Sequence, residues 1–187
     1  MSESTQEQEP FFLPDIHSPE VGKFIDTLLG QKRLSAQGQP PRSQAIDHQP
    51  CYVATINNDY PPLQCWFNCI DFCIRQGGVP VFGWLIWRLE NPSGYVAQHH
   101  AVVNTGSELL DVTHGDQYDK VLSVPDRVTP FTIDTDPMYL PANFYADESG
   151  LSWQALGDVC KDFYLLKMSP DSSHLDLVTR AKKQNIL

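Results

Sequence analysis

The sequence predicts an α+β domain in which a buried helix carrying a cysteine packs on an antiparallel sheet carrying a histidine and an aspartate. Three observations predict it. An apolar, three-turn helical pattern lies between Pro61-Pro62 and Gly77-Gly78. A meander of strand patterns follows, "VPVFGWLIWRLE", "YVAQHHAVVN" and "SELLDVT", joined by "NPSG" and "TG" turns. Helices and strands are therefore grouped along the chain and do not alternate, which favours an antiparallel sheet over parallel βαβ units.

The elements follow in order. Residues 1 to 17 are polar and acidic and predict a mobile tail ahead of a single domain spanning 18 to 187. In "SPEVGKFIDTLLG", Ser18 is the N-cap, Pro19 opens the helix and Gly30 stops it, while Val21, Phe24, Ile25, Leu28 and Leu29 line one face. Residues 31 to 50 are rich in Gln, Pro and Ser and read as a surface loop, and "CYVATI" as a short strand. Cys65 opens the buried helix, whose Trp66, Phe67, Ile70, Cys73 and Ile74 leave little polar surface. After the meander, "YDKVLSV" and "PFTID" predict further strands, followed by a loop punctuated with prolines. "SWQALGDVCKDFYLLK" has apolar residues at helical spacing, and "SSHLDLVTRAKKQNIL" predicts a terminal helix.

Composition excludes several function classes. The 187 residues carry a formal net charge of −10, with acidic residues crowded between Asp111 and Asp136. No basic stripe is present to meet a nucleic acid backbone or an anionic membrane, so neither is an expected partner. No apolar run reaches the roughly 20 residues of a membrane span, and "MSESTQEQEP" lacks the pattern of a signal peptide. Five cysteines, three of them in one segment, do not make a disulfide framework. The expectation is synthesis in the cytoplasm, with any export taking a route that needs no signal peptide.

The candidate site joins the helix to the meander. If Thr105-Gly106 form a two-residue hairpin loop, His100 sits directly opposite Asp111 and His99 points to the other face. Asp111 then fixes the tautomer of His100 and leaves its second ring nitrogen for a thiol. A cysteine at a helix N-terminus meets unpaired N–H groups and the positive end of the dipole, which favour its thiolate and can hold an oxyanion. Cys65, His100 and Asp111 are thus expected as nucleophile, base and orienting acid.

Gln64-Cys65-Trp66 at a helix start, then His100-Ala101-Val102-Val103, then Asp111-Val112-Thr113, resembles the papain-like thiol enzymes, most closely their transglutaminase-like branch. The resemblance covers about residues 60 to 115 and implies a papain-like fold with a Cys65–His100–Asp111 triad. The activity it implies is that of a cysteine hydrolase or acyltransferase acting on an amide of a protein or peptide, such as a glutamine deamidase. The same order of residues is similar to cell-wall peptidases of the NlpC/P60 type. The string Cys65-x-x-Asn68, Gly77-Gly78, Gly83-Trp84, His100 to Val102 and Asp111 to Thr113 also resembles one carried by certain bacterial proteins. Papain's oxyanion-hole glutamine has no counterpart at its usual place, which leaves Gln64, Trp66, Asn58 and Trp84 as candidates for the cleft. A binding module that keeps the scaffold without the chemistry is the rival from another class.

Other readings compete for the same residues. Cys69 and Cys73 share the helical stripe of Cys65 and are expected as small core residues, because their spacing misses that of an iron–sulfur loop. His99, His100, Asp111 and His114 contain metal-ligand types, but strand alternation separates His99 from His100, so neither a metal nor a cofactor is predicted. Trp84 and Trp87 are expected on opposite faces, and His17, His48 and His174 on the surface.

Overall fold

The computed structural model describes residues 11–30, 49–115, 117–126, 129, 131–149, 153–156 and 165–187. Residues 31 to 48 of the loop predicted over 31 to 50, and the first ten residues, lie outside this set. Three helices accompany a mostly antiparallel sheet: α1 (Pro19–Gly30), α2 (Cys65–Gln76) and α3 (Ser172–Lys183). The strands are β1 (Cys51–Thr55), β2 (Val79–Glu90), β3 (Ser93–Asn104), β4 (Leu109–Asp111), β5 (Lys120–Pro125), β6 (Met138–Pro141), β7 (Asn143–Asp147), β8 (Trp153–Leu156) and β9 (Leu165–Met168).

Five strands close on themselves. Pairing runs β2-β5-β1-β4-β3 and returns from β3 to β2, so the sheet forms a small barrel. Alternation then sorts every side chain. Val81, Leu85, Trp87, Val96, Val102, Val53 and Val121 fill the inside. Outside, α1 lays Val21, Phe24, Ile25 and Leu28 over Trp84, Ile86, Leu122 and Val124. α2 and α3 cover Phe82, Ala101 and Val103, together with Phe131, Ile133, Met138 and Leu140. Trp84 and Trp87 do face opposite ways. Gly83, directly opposite His100, lets β5 come close; a Cβ there would lie 2.2 Å from the carbonyl oxygen of Val124.

Several expectations are corrected. Phe11 to His17 are held on the barrel: Phe12 exchanges backbone hydrogen bonds with Arg88 at 3.0 and 2.9 Å, and Phe11 stacks on Trp87. "PFTID" contributes only a bridge from Thr132 to Tyr139. The stretch expected as a proline-punctuated loop holds β6 and β7, and "WQAL" pairs with β7 as β8 instead of lying in a helix. Trp153 and Leu156 have helical spacing, but an unpaired edge of β7 is available beside them, and tertiary pairing overrides so short a local pattern. Residues 157 to 164, the rest of that predicted helix, are outside the described set. Among the described residues no helix is long and apolar enough to cross a membrane.

Candidate functional site

α2 begins at Cys65 after Leu63 turns the chain with a positive φ of 64°. It ends at Gly77, φ 88°, whose N–H returns to the Cys73 carbonyl at 3.0 Å. The helix meets the barrel where the barrel is split. β2 pairs with β3 along its whole length, so β4 and β7 must share the other edge of β3. β4 reaches only Val103 and Asn104, and β7 only Gly94 to Ala97. Between them, among the described residues, the edge at Gln98 to Val102 lacks a strand, and α2 docks against it. Cys65 Sγ lies 3.9 Å from the His99 carbonyl oxygen, and Cys69 Sγ donates to that of Ala101 at 3.1 Å. Asn68 ties the same turn to the β4 side, donating to Pro61 O at 2.9 Å and to Thr113 Oγ1 at 3.2 Å. The Cys65-x-x-Asn68 and Asp111-Val112-Thr113 words of the sequence thus meet across the split.

His100 and Asp111 lie on the inner side of this split. The β3–β4 loop is longer than the expected two residues, with Thr105 N–H bonded to Glu108 O at 3.0 Å. Val103 therefore pairs with Leu110 and Asn104 with Leu109, a shift of two residues along β4. An even shift preserves which face each side chain takes. His100 Nε2 still reaches Asp111 Oδ1, at 3.1 Å and along a diagonal, with both residues buried. Among the described residues His100 Nδ1 makes no hydrogen bond, and His100 and Cys65 are not bonded to each other.

Asp111 holds more than one partner. The backbone N–H of Thr113 donates to Oδ1 at 2.8 Å, and His114 Nδ1 lies 2.8 Å from Oδ2. Burial alone would raise the Asp111 carboxyl, but the charge and hydrogen bonds of His100 and His114 outweigh it and hold the group well below the usual carboxylate range. Burial lowers His100 and outweighs the opposing pull of Asp111. At neutral pH the pair is a carboxylate beside a neutral imidazole.

Cys65 departs from the sequence expectation. It is 5% exposed, and burial pushes its thiol up to about 12, against the smaller lowering from the N–H groups of Ala101, Trp66 and Cys65 itself. The backbone donors lower it, but desolvation exceeds them. The resting sulfur is a thiol. Cys69 and Cys73 are raised in the same way, as expected for packing residues.

The side chains of the four cleft candidates have hydrogen-bond partners of their own. Gln64 Oε1 lies 3.3 Å from His174 Nε2, and Asn58 Nδ2 is 3.5 Å from Ile56 O. Trp66 Nε1 donates to His99 Nδ1 at 3.1 Å. Trp84 Nε1 donates to Asp126 Oδ2 at 2.6 Å beneath the α1 side of the barrel. His174 is not a free surface residue but stacks on Phe67 at 3.9 Å between ring centroids, joining α3 to α2. The second imidazole on Asp111 escaped the triad reading, although His114 carries the right residue type three places after the aspartate. Comparison with protein-family models, curated proteins and solved structures found no match.

Proposed function

We propose that this protein is a cysteine-dependent amide hydrolase or acyltransferase, with Cys65 as nucleophile, His100 as general base and Asp111 as the acid that orients it. One observation carries the reading. Cys65 opens a helix and lies against the backbone flanking His100, while Asp111 engages one nitrogen of His100 and leaves the other without a hydrogen bond. A neutral imidazole on a fixed carboxylate is the state a base needs. Because the resting sulfur is protonated, His100 takes the thiol proton as sulfur bonds to the amide carbon. The tetrahedral intermediate then expels ammonia or an amine, which leaves with the proton from His100. Water or a second amine attacks the thioester, giving a carboxylate or a new amide and restoring the thiol. A protein glutamine side chain is the preferred amide on this reading, and a peptide bond, as for NlpC/P60-type peptidases, is the alternative.

The test is incubation with a mixed proteome and a fluorescent primary amine, read by mass spectrometry. Mass shifts or amine incorporation at glutamine, abolished in Cys65→Ala and His100→Ala, support the deamidase or acyltransferase reading. New peptide termini that depend on both residues support the peptidase. No turnover that depends on Cys65 leaves a binding module and overturns the proposal.

A further inference from the structure

We propose that His100, Asp111 and His114 form a binding site for one divalent transition metal ion of the zinc class. Each residue offers one ligand atom, and the three atoms lie within 4.8 Å of one another. Zinc binds imidazole nitrogen and carboxylate oxygen at about 2.0–2.2 Å, so ligands around a shared tetrahedral ion stand roughly 3.3 Å apart. The observed separations, 3.1 Å from His100 Nε2 to Asp111 Oδ1 and 2.8 Å from His114 Nδ1 to Oδ2, are close to that spacing. The two contacts use different carboxylate oxygens, and the three ligand atoms lie within 4.8 Å, so side-chain rotation must close them on one ion. Two imidazoles and a carboxylate suit zinc or another ion of similar preference, and a water completes the coordination.

The surroundings support the assignment. The Thr113 N–H on Asp111 Oδ1 supplies the outer contact that orients a ligating carboxylate. The rings of Trp87 and Tyr118 stand 6.1 and 6.3 Å from that of His114. His114 is the accessible member, 21% exposed against 0% for Asp111, and marks the way in. Cys65 is not among the ligands, because its sulfur lies against the backbone of β3.

In the metal-free protein Nε2 of His100 and Nδ1 of His114 face Asp111. To ligate, each of these nitrogens presents a lone pair to the metal. His100 then carries hydrogen on Nδ1, the atom assigned to receive the proton of Cys65. On the thiol-enzyme reading, and only there, the metal therefore switches catalysis off.

The experiment is a Zn²⁺ titration of chelator-stripped protein against a chromophoric chelator, with Co²⁺ spectra in parallel. Wild type should bind one ion per chain, with a cobalt spectrum free of thiolate charge-transfer bands and a raised melting temperature. His114→Ala should weaken binding by more than the roughly 10–100-fold typical of losing an outer-shell partner, and Cys65→Ala should leave it unchanged. If His114→Ala melts below the assay temperature, His114→Gln replaces it. No binding, binding that survives loss of the His114 imidazole, or binding that disappears with Cys65 overturns the proposal. Zinc binding by a protein whose metal-free form is inert at Cys65 refutes the thiol enzyme alone. Turnover in a protein that binds no zinc refutes the metal site alone.

Discussion

The two faces of β3 carry adjacent histidines in opposite circumstances. On the outer face His99 is enclosed by aromatic rings: Trp66 stacks on it at 6.1 Å, and Trp84 and Phe131 meet it edge-on at 5.0 and 4.7 Å. The Trp66 indole N–H donates to its Nδ1 at 3.1 Å. On the inner face His100 meets a buried carboxylate, with a second imidazole beyond it. Residue type and depth are nearly the same on the two faces, 5% and 4% exposed. The difference in chemistry comes from strand parity and from what the neighbouring strand supplies.

The largest expected effect tests that contrast directly. In the turnover assay His100→Ala should lose on the order of 10²–10⁴-fold in kcat/KM, while His99→Phe keeps most activity. Equal losses would erase the distinction between the faces. Next comes stability. Asp111→Ala leaves two imidazoles without their carboxylate in the barrel and should cost about 1–3 kcal/mol in denaturant unfolding. A cost below that range would mean that water reaches the inner face and replaces the carboxylate.

Acid titration gives a smaller effect with a defined sign. His100 has a lowered folded-state value, so below about pH 6.5 the unfolded chain takes up its proton first and stability falls. Asp111 is also lowered; its contribution is complete above about pH 4 and is lost as pH drops toward the folded value. Both slopes run the same way. His100→Gln should flatten the loss of melting temperature between pH 7 and 5, and an unchanged slope there would remove His100 as its source. Smallest of all, His99→Phe gives up the Trp66 hydrogen bond and should cost about 0.5–1.5 kcal/mol.

The sequence analysis reached the histidine faces for a simple reason. A strand alternates with period two, so His100 and Asp111 share a face in any register displaced by an even number. The loop was misjudged by two residues and the pair survived. Helix ends were equally legible, since Ser18-Pro19 and Gly77-Gly78 mark them chemically. What was not legible depends on contacts between distant residues. Nothing local in "CYVAT" says that it lies between β4 and β5, or that the meander closes into a ring. The burial of Cys65 is of the same kind: the helix start was visible, but the strand edge that buries the sulfur was not. β6 and β7 were missed because prolines at 137 and 141 read as loop, although both lie at strand ends where they interrupt little.

The position of β1 has a consequence for how the molecule assembles. β2 and β3 can zip together around a two-residue turn, but β1 must wait for β4 and β5, whose partner residues lie more than fifty positions downstream. Closing such long loops costs entropy before any contact compensates it, so ring closure is expected late in folding, on the slow millisecond-to-second scale of non-local β proteins. Asp111 is aligned with Thr55 of β1, and the Ile56 N–H bonds its carbonyl at 2.9 Å. β4 can pair with β3 locally, so β1 adds its backbone contacts to the strand carrying Asp111 only when that last strand arrives. Pulsed hydrogen exchange during refolding should accordingly protect the amides of β2 and β3 before those of Thr55 and Ile56.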